Sequence, residues 1–419
     1  MSTDWPPVAP RTSPRDDQPG SREGPGEEVR RTRASRMRVM LLATVETKRQ
    51  EVAYMVDALA ENGVHARVCD VSLNTGGKWL AGSQKVEAMQ RRAAEIVAGI
   101  GPLLGPGYQA ILGLGGGTGG QIIVDVMRSL PFSYPKVLAT TLPFDPRSML
   151  ADNSIVIVPT LADIVGLNAT LRQSFDNAAA IVAGICRNPR RRTHVSEAPS
   201  IGITALSTTA GGVDPLVRTV TEHGREATVF HSNGYGGAAF SRWCEAQAFE
   251  GVIDFTIHEL TRMIVAGAHA DMPRRFTAAG QNGVPQVVLP GAVNFIGLGE
   301  VTYVPKRYLE RPHYFHSRLF THVKMTETEM RMCANLLAMH LLEAESPTHL
   351  VVPMGGFSSE DMPGGAVHDE DLRAVFLECM QEALGGPEGG RVPITVIDDH
   401  INSEACAATA FETLRPYLN

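Results

Sequence analysis

The sequence predicts an α/β protein of two doubly wound, Rossmann-like lobes built on mainly parallel sheets. Three observations predict it. Short β-rich apolar runs alternate with longer amphipathic stretches from residue 36 onward, the pattern of repeated βαβ units. The alternation is interrupted once, by a polar and basic run from Cys186 to Pro199 that reads as a linker. At 419 residues, the chain is also too long for one typical domain.

Taken in order, residues 1–35 place Pro6, Pro7, Pro10, Pro14, Pro19 and Pro25 among charged and small residues, with little to bury, so they are expected to be a disordered tail. The first lobe, 36–190, carries expected strands at 38–44, 66–71, 110–114, 136–141 and 154–159. Helical periodicity fills 47–62, 85–101, 119–129 and 164–185. The second lobe, 198–419, carries strands at 201–206, 227–231, 251–255, 285–289, 349–353 and 394–398. Doubly wound sheets bind ligands outside the carboxyl ends of their strands, so the loops that follow these strands are where chemistry is expected.

Composition narrows the classes. Hydrophobic residues make up 43% and charged residues 20%, ordinary for a globular chain. A formal charge of -7 argues against nucleic acid as a partner. The six cysteines, Cys69, Cys186, Cys244, Cys333, Cys379 and Cys406, form no CxxC pair and are expected to be reduced, mostly buried thiols. No apolar run reaches the roughly 18 residues of a membrane span and no signal-like start is present, so a cytoplasmic location without a membrane partner is expected.

The strongest local signal runs from Leu112 to Gln121, a glycine-rich loop directly between an apolar strand and an apolar helix. Glycines let backbone amides approach an anion, and a helix N-terminus adds free N–H groups and partial positive charge. Gly115, Gly117 and Gly120 fit GxGxxG, but the next strand ends in Thr140 and Thr141 without the acid that holds a ribose, which disfavours NAD. Gln121 and Ile122 stand where a Walker motif needs Lys and Ser or Thr. A second loop of this type contains Gly234, Gly236 and Gly237, and a third contains Gly355, Gly356 and Ser358. Thr47 and Lys48 close the first strand as a further hydroxyl and cation. The expected contacts to a bound phosphate are therefore Thr47, Lys48, Gly115, Gly116, Gly117, Thr118, Gly119, Gly234, Gly236, Gly237, Gly355, Gly356 and Ser358.

Ionisable groups at strand ends supply candidates for catalysis. Asp399 and His400 could orient each other for acid/base work, with His231 nearby in kind, while Asn402 or Ser403 read equally well as the cap of a final helix. Asp254 and Glu259 flank Thr256, where capping and ligand binding explain the pattern equally. His313, His316 and His322 have spacings that match no zinc motif, and no metal-ligating set is assigned to the protein itself.

In order along the chain, these motifs resemble the family of ATP-binding proteins named after the tomato mosaic virus resistance protein. The resemblance rests on Ala43 to Lys48, Gly113 to Gly120, Asp163 to Asn168, Val229 to Gly237, Pro285 to Ala292, Pro353 to Ser358 and Asp399 to Asn402. It implies two Rossmann-like lobes, nucleotide binding and self-association. The chain departs from the family pattern at Ala43, Glu46, Val293-Asn294 and His316-Ser317-Arg318, which implies a diverged specificity. The resulting expectation is an enzyme using ATP and Mg2+ to activate or phosphorylate a small acid or alcohol, a ligase or phosphotransferase. The alternative is a nucleotide-binding regulatory or interaction protein without turnover.

Overall fold

The computed structural model describes residues 37–76, 78, 80–104, 107–132, 134–143, 152–188, 199–267, 272, 274–385 and 390–419. The expected tail and residues 189–198 of the expected linker lie outside them.

Lobe one begins with β1 (Arg38–Ala43), α1 (Arg49–Glu61), β2 (His65–Asp70) and α2 (Gly82–Leu103). It continues with β3 (Ala110–Leu114), α3 (Gly117–Arg128), β4 (Lys136–Thr140), β5 (Ile155–Pro159) and α4 (Ala169–Arg187). The strands pair in parallel in the order β2-β1-β3-β4-β5. All five residues of β3 are buried, which is why it reads as a continuous apolar run: helices cover both of its faces. Val39, Leu41 and Leu112 pack with α1 and α4, while Met40, Leu42 and Ile111 pack with α2 and α3. Each fully buried aliphatic side chain of this kind contributes about 1.5–3 kcal/mol to folding.

Lobe two runs β6 (Ser200–Ala205), α5 (Ala210–Glu222), β7 (Glu226–His231), α6 (Tyr235–Glu245), β8 (Gly251–Thr256), α7 (Glu259–Ile264), α8 (Ala278–Gln281) and β9 (Gln286–Gly291). After an insertion come α10 (Glu327–Leu342), β13 (Thr348–Pro353), α11 (Glu370–Leu384), β14 (Ile394–Ile397) and α12 (Glu404–Leu414). Its main sheet is parallel, in the order β14-β13-β9-β8-β6-β7. The insertion holds β10 (Phe295–Leu298), the short α9 (Lys306–Leu309), β11 (His313–Ser317) and β12 (Phe320–Lys324), which form a separate antiparallel sheet in the order β10-β12-β11. The parallel architecture expected from the sequence is present. The antiparallel sheet was not expected, because its strands are four or five residues long and carry His and Lys among their apolar positions.

Side chains close four of the helix starts. Asn168 caps α4, Asp369 caps α11, Ser403 caps α12, and Thr326 with Glu329 forms a capping box on α10. The lobes meet where Arg242 of α6 reaches the end of α3. Its guanidinium donates to the carbonyls of Arg128, Leu130 and Asp152 at 2.7, 3.0 and 2.9 Å and stacks 4.4 Å from the Phe132 ring. A cation at these carbonyls complements the negative end of the α3 dipole. All six cysteines are free thiols, and five of them are buried. No helix among the described residues is long and apolar enough to cross a membrane.

Candidate functional site

In the first sheet the strand order reverses between β1 and β3, and the loops after these two strands meet. The crevice at such a reversal is where open α/β sheets bind ligands. Here it is a cavity of about 370 Å³, within the usual range for small-ligand sites. Thr44, Glu46, Thr47 and Lys48 line it from the turn after β1, and Gly116, Gly117, Thr118 and Gly119 from the start of α3. Ser72, Leu73, Thr75, Leu80 and Lys85 close one side, and Asp163 and Ile164 the other.

The α3 end is open because Gly116 is its N-cap and no side chain caps it. The amides of Gly117, Thr118 and Gly119 belong to the first turn, where an α-helix has no acceptors of its own. Gly120, the first residue with a partner, donates to Gly116 O at 2.7 Å. Gly119 must be glycine because β1 crosses so close by: a Cβ there would stand 2.7 Å from Thr44 Cγ2. Gly115 is buried beneath the loop, and its amide donates to Ala139 O at 3.1 Å. Gly115 therefore packs the loop and does not line the cavity.

The turn after β1 is held by a network that the sequence reading missed. Asp70 Oδ1 accepts from the Val45 and Ser72 amides at 3.1 and 2.9 Å and from Ser72 Oγ, which itself accepts from the Glu46 amide at 3.1 Å. Burial raises the Asp70 pKa, but these hydrogen bonds and the Arg92 charge outweigh it and hold the carboxyl below its ordinary value. On the other side, Glu51 accepts from the Gly166 amide at 2.8 Å and Lys48 Nζ donates to Ile164 O, tying the 163–168 loop to α1. Thr47 lies before Lys48, the N-cap of α1, which has no side-chain cap bond. Asp70-x-Ser72 at a strand end was a legible turn signal. Lys85 gave none, since nothing local distinguishes it from a solvated helix lysine.

The other two loops are built differently. In the Gly234–Gly237 loop the amides are already occupied: Gly234 and Gly237 donate to Glu259 Oε1 at 2.6 and 3.1 Å, and Ser232 Oγ donates to Oε2 at 3.1 Å. Tyr235 and Gly236 donate to Asn233 Oδ1 at 3.2 and 3.4 Å. Glu259 is in turn ion-paired with Arg275, whose guanidinium also holds Asp254 at 2.6 and 2.8 Å. Burial pulls the Arg275 pKa down, but the two carboxylates hold it above its ordinary value. Thr256 is therefore no cap. Its carbonyl accepts from Ser232 and Arg275, and its hydroxyl meets Thr209.

In the third loop the Gly355 amide donates to Asp399 O at 3.0 Å and the Phe357 amide to Asp361 Oδ2 at 3.0 Å. Ser358 is buried and its hydroxyl accepts from Asn294 Nδ2 at 3.2 Å. His400 Nδ1 accepts from the Asn402 amide at 3.0 Å, so Nε2 carries the proton and donates to Ser358 O at 3.0 Å. Burial lowers its pKa, which keeps this neutral form. Both ring nitrogens of His400 are thus engaged with backbone. Asp399 is exposed, and His231 lies at the end of β7. The structure brings Thr47, Lys48, Gly116, Gly117, Thr118 and Gly119 together in one cavity. It places His231, Gly234, Gly236, Gly237, Gly355, Gly356, Ser358, Asp399 and His400 elsewhere, in lobe two.

Comparison with known proteins matches residues 78–191 to the N-terminal domain and 198–418 to the C-terminal domain of the uncharacterised protein family UPF0261. A UPF0261 protein of Mesorhizobium japonicum is 30% identical over 398 residues, 89% of this chain and 98% of that protein. A UPF0261 protein of Clostridium tetani is 26% identical over 88% of this chain and 96% of its own length. The ToMV resistance protein Tm-1(GCR237) of Solanum lycopersicum is 27% identical over 297 residues, 70% of this chain but 39% of that longer protein. Among solved structures, a LacI-type transcription regulator from Bifidobacterium animalis covers 86% of this chain and 96% of its own at 11% identity and a TM-score of 0.17.

Proposed function

The chain belongs to the UPF0261 family, and from that starting point we propose that its lobe-one cavity binds ATP by the phosphates. One observation carries the reading: the uncapped N-terminus of α3 opens into a cavity that also collects Lys48 and Lys85. Free amides, a positive helix end and two ammonium groups are the parts an oligophosphate requires. Thr44, Thr47, Thr118 and Ser72 add hydroxyls, while Leu73, Leu80 and Ile122 supply an apolar wall suited to a base.

Mg2+ fits this donor set. Glu46 and Asp163 line the same cavity, and magnesium bound to a nucleotide takes one or two carboxylates together with phosphate oxygens. The ion would neutralise phosphate charge there, while the α3 amides and the lysines orient the chain of phosphates.

An ATP-dependent ligase or phosphotransferase would have to bring its small acid or alcohol to this cavity, because His231, Asp399 and His400 do not line it. Binding without turnover needs none of them. Titration calorimetry of the full chain with MgATP and with NADH tests the first claim, with saturable binding of MgATP alone as the expected result. A preference for NADH would overturn it. Release of ADP or AMP in proportion to a modified substrate then separates the enzyme from the regulatory protein.

A further inference from the structure

Lobe two gathers a second set of chemistry-bearing side chains that shares no residue with the ATP cavity. In its main sheet β6 has β7 on one side and β8 on the other, so the crevice outside β6 and β8 is that sheet's reversal point. Five basic side chains converge there from separate pieces of chain: His231 at the end of β7, His258 before α7, Arg262 on α7, His316 on β11 and His322 on β12. The antiparallel sheet closes over them. His316 Nε2 lies 3.3 Å from Ser207 Oγ in the loop after β6, and the His316 ring stacks on His322 with centroids 5.0 Å apart and planes 7° apart. His322 stacks on Phe295 at 4.4 Å, and His258 lies 4.7 Å from the same ring.

The innermost member carries an unmet demand. His258 is 1% exposed; its Nδ1 lies 2.9 Å from Ala292 O, to which it donates, and its Nε2 is left as a buried acceptor without a partner. A Cβ on Gly297 would stand 2.6 Å from this Nε2 and 3.0 Å from Arg262 Nη2, so a glycine is needed for imidazole and guanidinium to flank one point of β10. Ser207, His231 and His316 are exposed and form the mouth.

Burial and basic neighbours act together on these rings. Burial, then Arg262 and His322, hold the His258 pKa well below its ordinary value. Burial, then His316 and Arg262, push His322 down to about 3. Burial also lowers His231, with Glu259 opposing and Arg262 and His316 adding to the depression. Glu259, the carboxylate in this field, is taken by Arg275 and the Gly234 and Gly237 amides. Imidazoles held neutral by neighbouring bases gain together from one incoming negative charge. A metal ion would be the other natural occupant, but among the described residues no three His, Cys, Asp or Glu side chains are arranged to hold one.

We propose that this crevice is a second ligand site, binding the oxyanion of a small molecule, carboxylate or phosphate, at Arg262, His231 and His316 with Ser207 as a hydroxyl donor. The site is independent of the ATP reading, since it uses no lobe-one residue. Binding takes up protons. Among the described residues, the groups facing the imidazoles are Arg262 and Glu259 from α7, Tyr314 from β11, whose hydroxyl is 2.8 Å from His322 Nδ1, and the imidazoles themselves. An anion raises the depressed histidine pKa values, so affinity increases as pH falls.

The test is proton NMR of the histidine rings of the full chain, titrated with inorganic phosphate and with succinate. The expected result is an upward shift of the His231 titration, with chemical-shift changes at His316, with at least one probe. Phosphate alone indicates a phosphorylated ligand, and succinate alone a carboxylic acid. Affinity should drop about tenfold in His316→Ala and about 100-fold in Arg262→Gln, the latter losing a charge-assisted contact. Melting temperature and MgATP affinity monitor the fold, and the exposed His316 and Ser207→Ala variants stand in if Arg262→Gln unfolds. No shift with either probe, or undiminished probe affinity in folded His316→Ala and Ser207→Ala, overturns the proposal.

Discussion

The loops at Gly116–Gly119 and Gly234–Gly237 look alike in sequence, each lying between a parallel strand and a helix, yet they have opposite relations to negative charge. The first leaves its amides facing a cavity. The second has them filled by the protein's own Glu259. Side-chain space follows suit. A Cβ on Gly117 would meet nothing within 4 Å and one on Gly116 would reach Thr141 Oγ1 at 3.5 Å. On Gly236 it would meet His231 O at 2.2 Å, and on Gly237 it would meet Glu259 Oε1 at 2.2 Å. Gly116 and Gly117 thus leave open space beside the cavity, whereas Gly236 and Gly237 serve internal packing. In the second loop the anion is supplied by the chain itself.

The largest effect should come from removing the internal anion. Glu259→Ala leaves the fully buried Arg275 short of one carboxylate and is expected to cost about 3–5 kcal/mol. Urea unfolding measures it, and a loss below about 1 kcal/mol would break the contrast between the loops. Gly236→Val should be nearly as damaging, about 3 kcal/mol or more, because the obstruction is backbone. The backbone of His231 leaves a side chain at that position no room. Gly116→Val should do the opposite: melting temperature unchanged within error, MgATP affinity down about 100-fold through loss of charge-assisted amide contacts. A stability loss equal to that of Gly236→Val would show the loops to be equivalent after all. Lys48→Ala should lower MgATP affinity about tenfold, read by calorimetry.

The smallest effect concerns the background against which the loops are compared. Lys136 is buried, with Nζ donating to Pro131 O and Tyr134 O at 2.7 and 3.1 Å. Burial, aided by Arg242 and opposed by Asp152, lowers its pKa from 10.5 to about 8. The unfolded chain therefore holds more protons between these values, and stability should rise with pH across that window, by about 1–2 kcal/mol. Lys136→Met should flatten this slope in unfolding measured from pH 8 to 10. An unchanged slope would remove Lys136 as its source.

The two parallel sheets were legible because β3 and β8 are near-continuous apolar runs between amphipathic helices, a pattern set by burial on both faces. The antiparallel sheet was not, since its short strands carry His313, His316 and His322 at half-buried, exposed and buried positions in turn, where periodicity is weak. The lobe-one residues Lys48 and Gly116–Gly119 could be named from sequence because loop and helix start are contiguous. The occupancy of the second loop could not, because Glu259 is 22 residues from Gly237 and Arg275 a further 16. Asp254 within the apolar β8 was the available hint, since an acid in a buried strand implies a buried cation somewhere. Local sequence has no means of naming which arginine that is.

Arg242 carries a consequence for how the protein can be taken apart. Helix α3 offers one end to the cavity and has the other gripped by a residue of the opposite lobe. Lobe one expressed alone would lose the counter-charge on those carbonyls and the partner of Phe132. The two family domains, 78–191 and 198–418, are therefore not interchangeable modules. A chimera that joins this lobe one to a relative's lobe two inherits a sound joint only if the incoming lobe presents a cation to the same carbonyls.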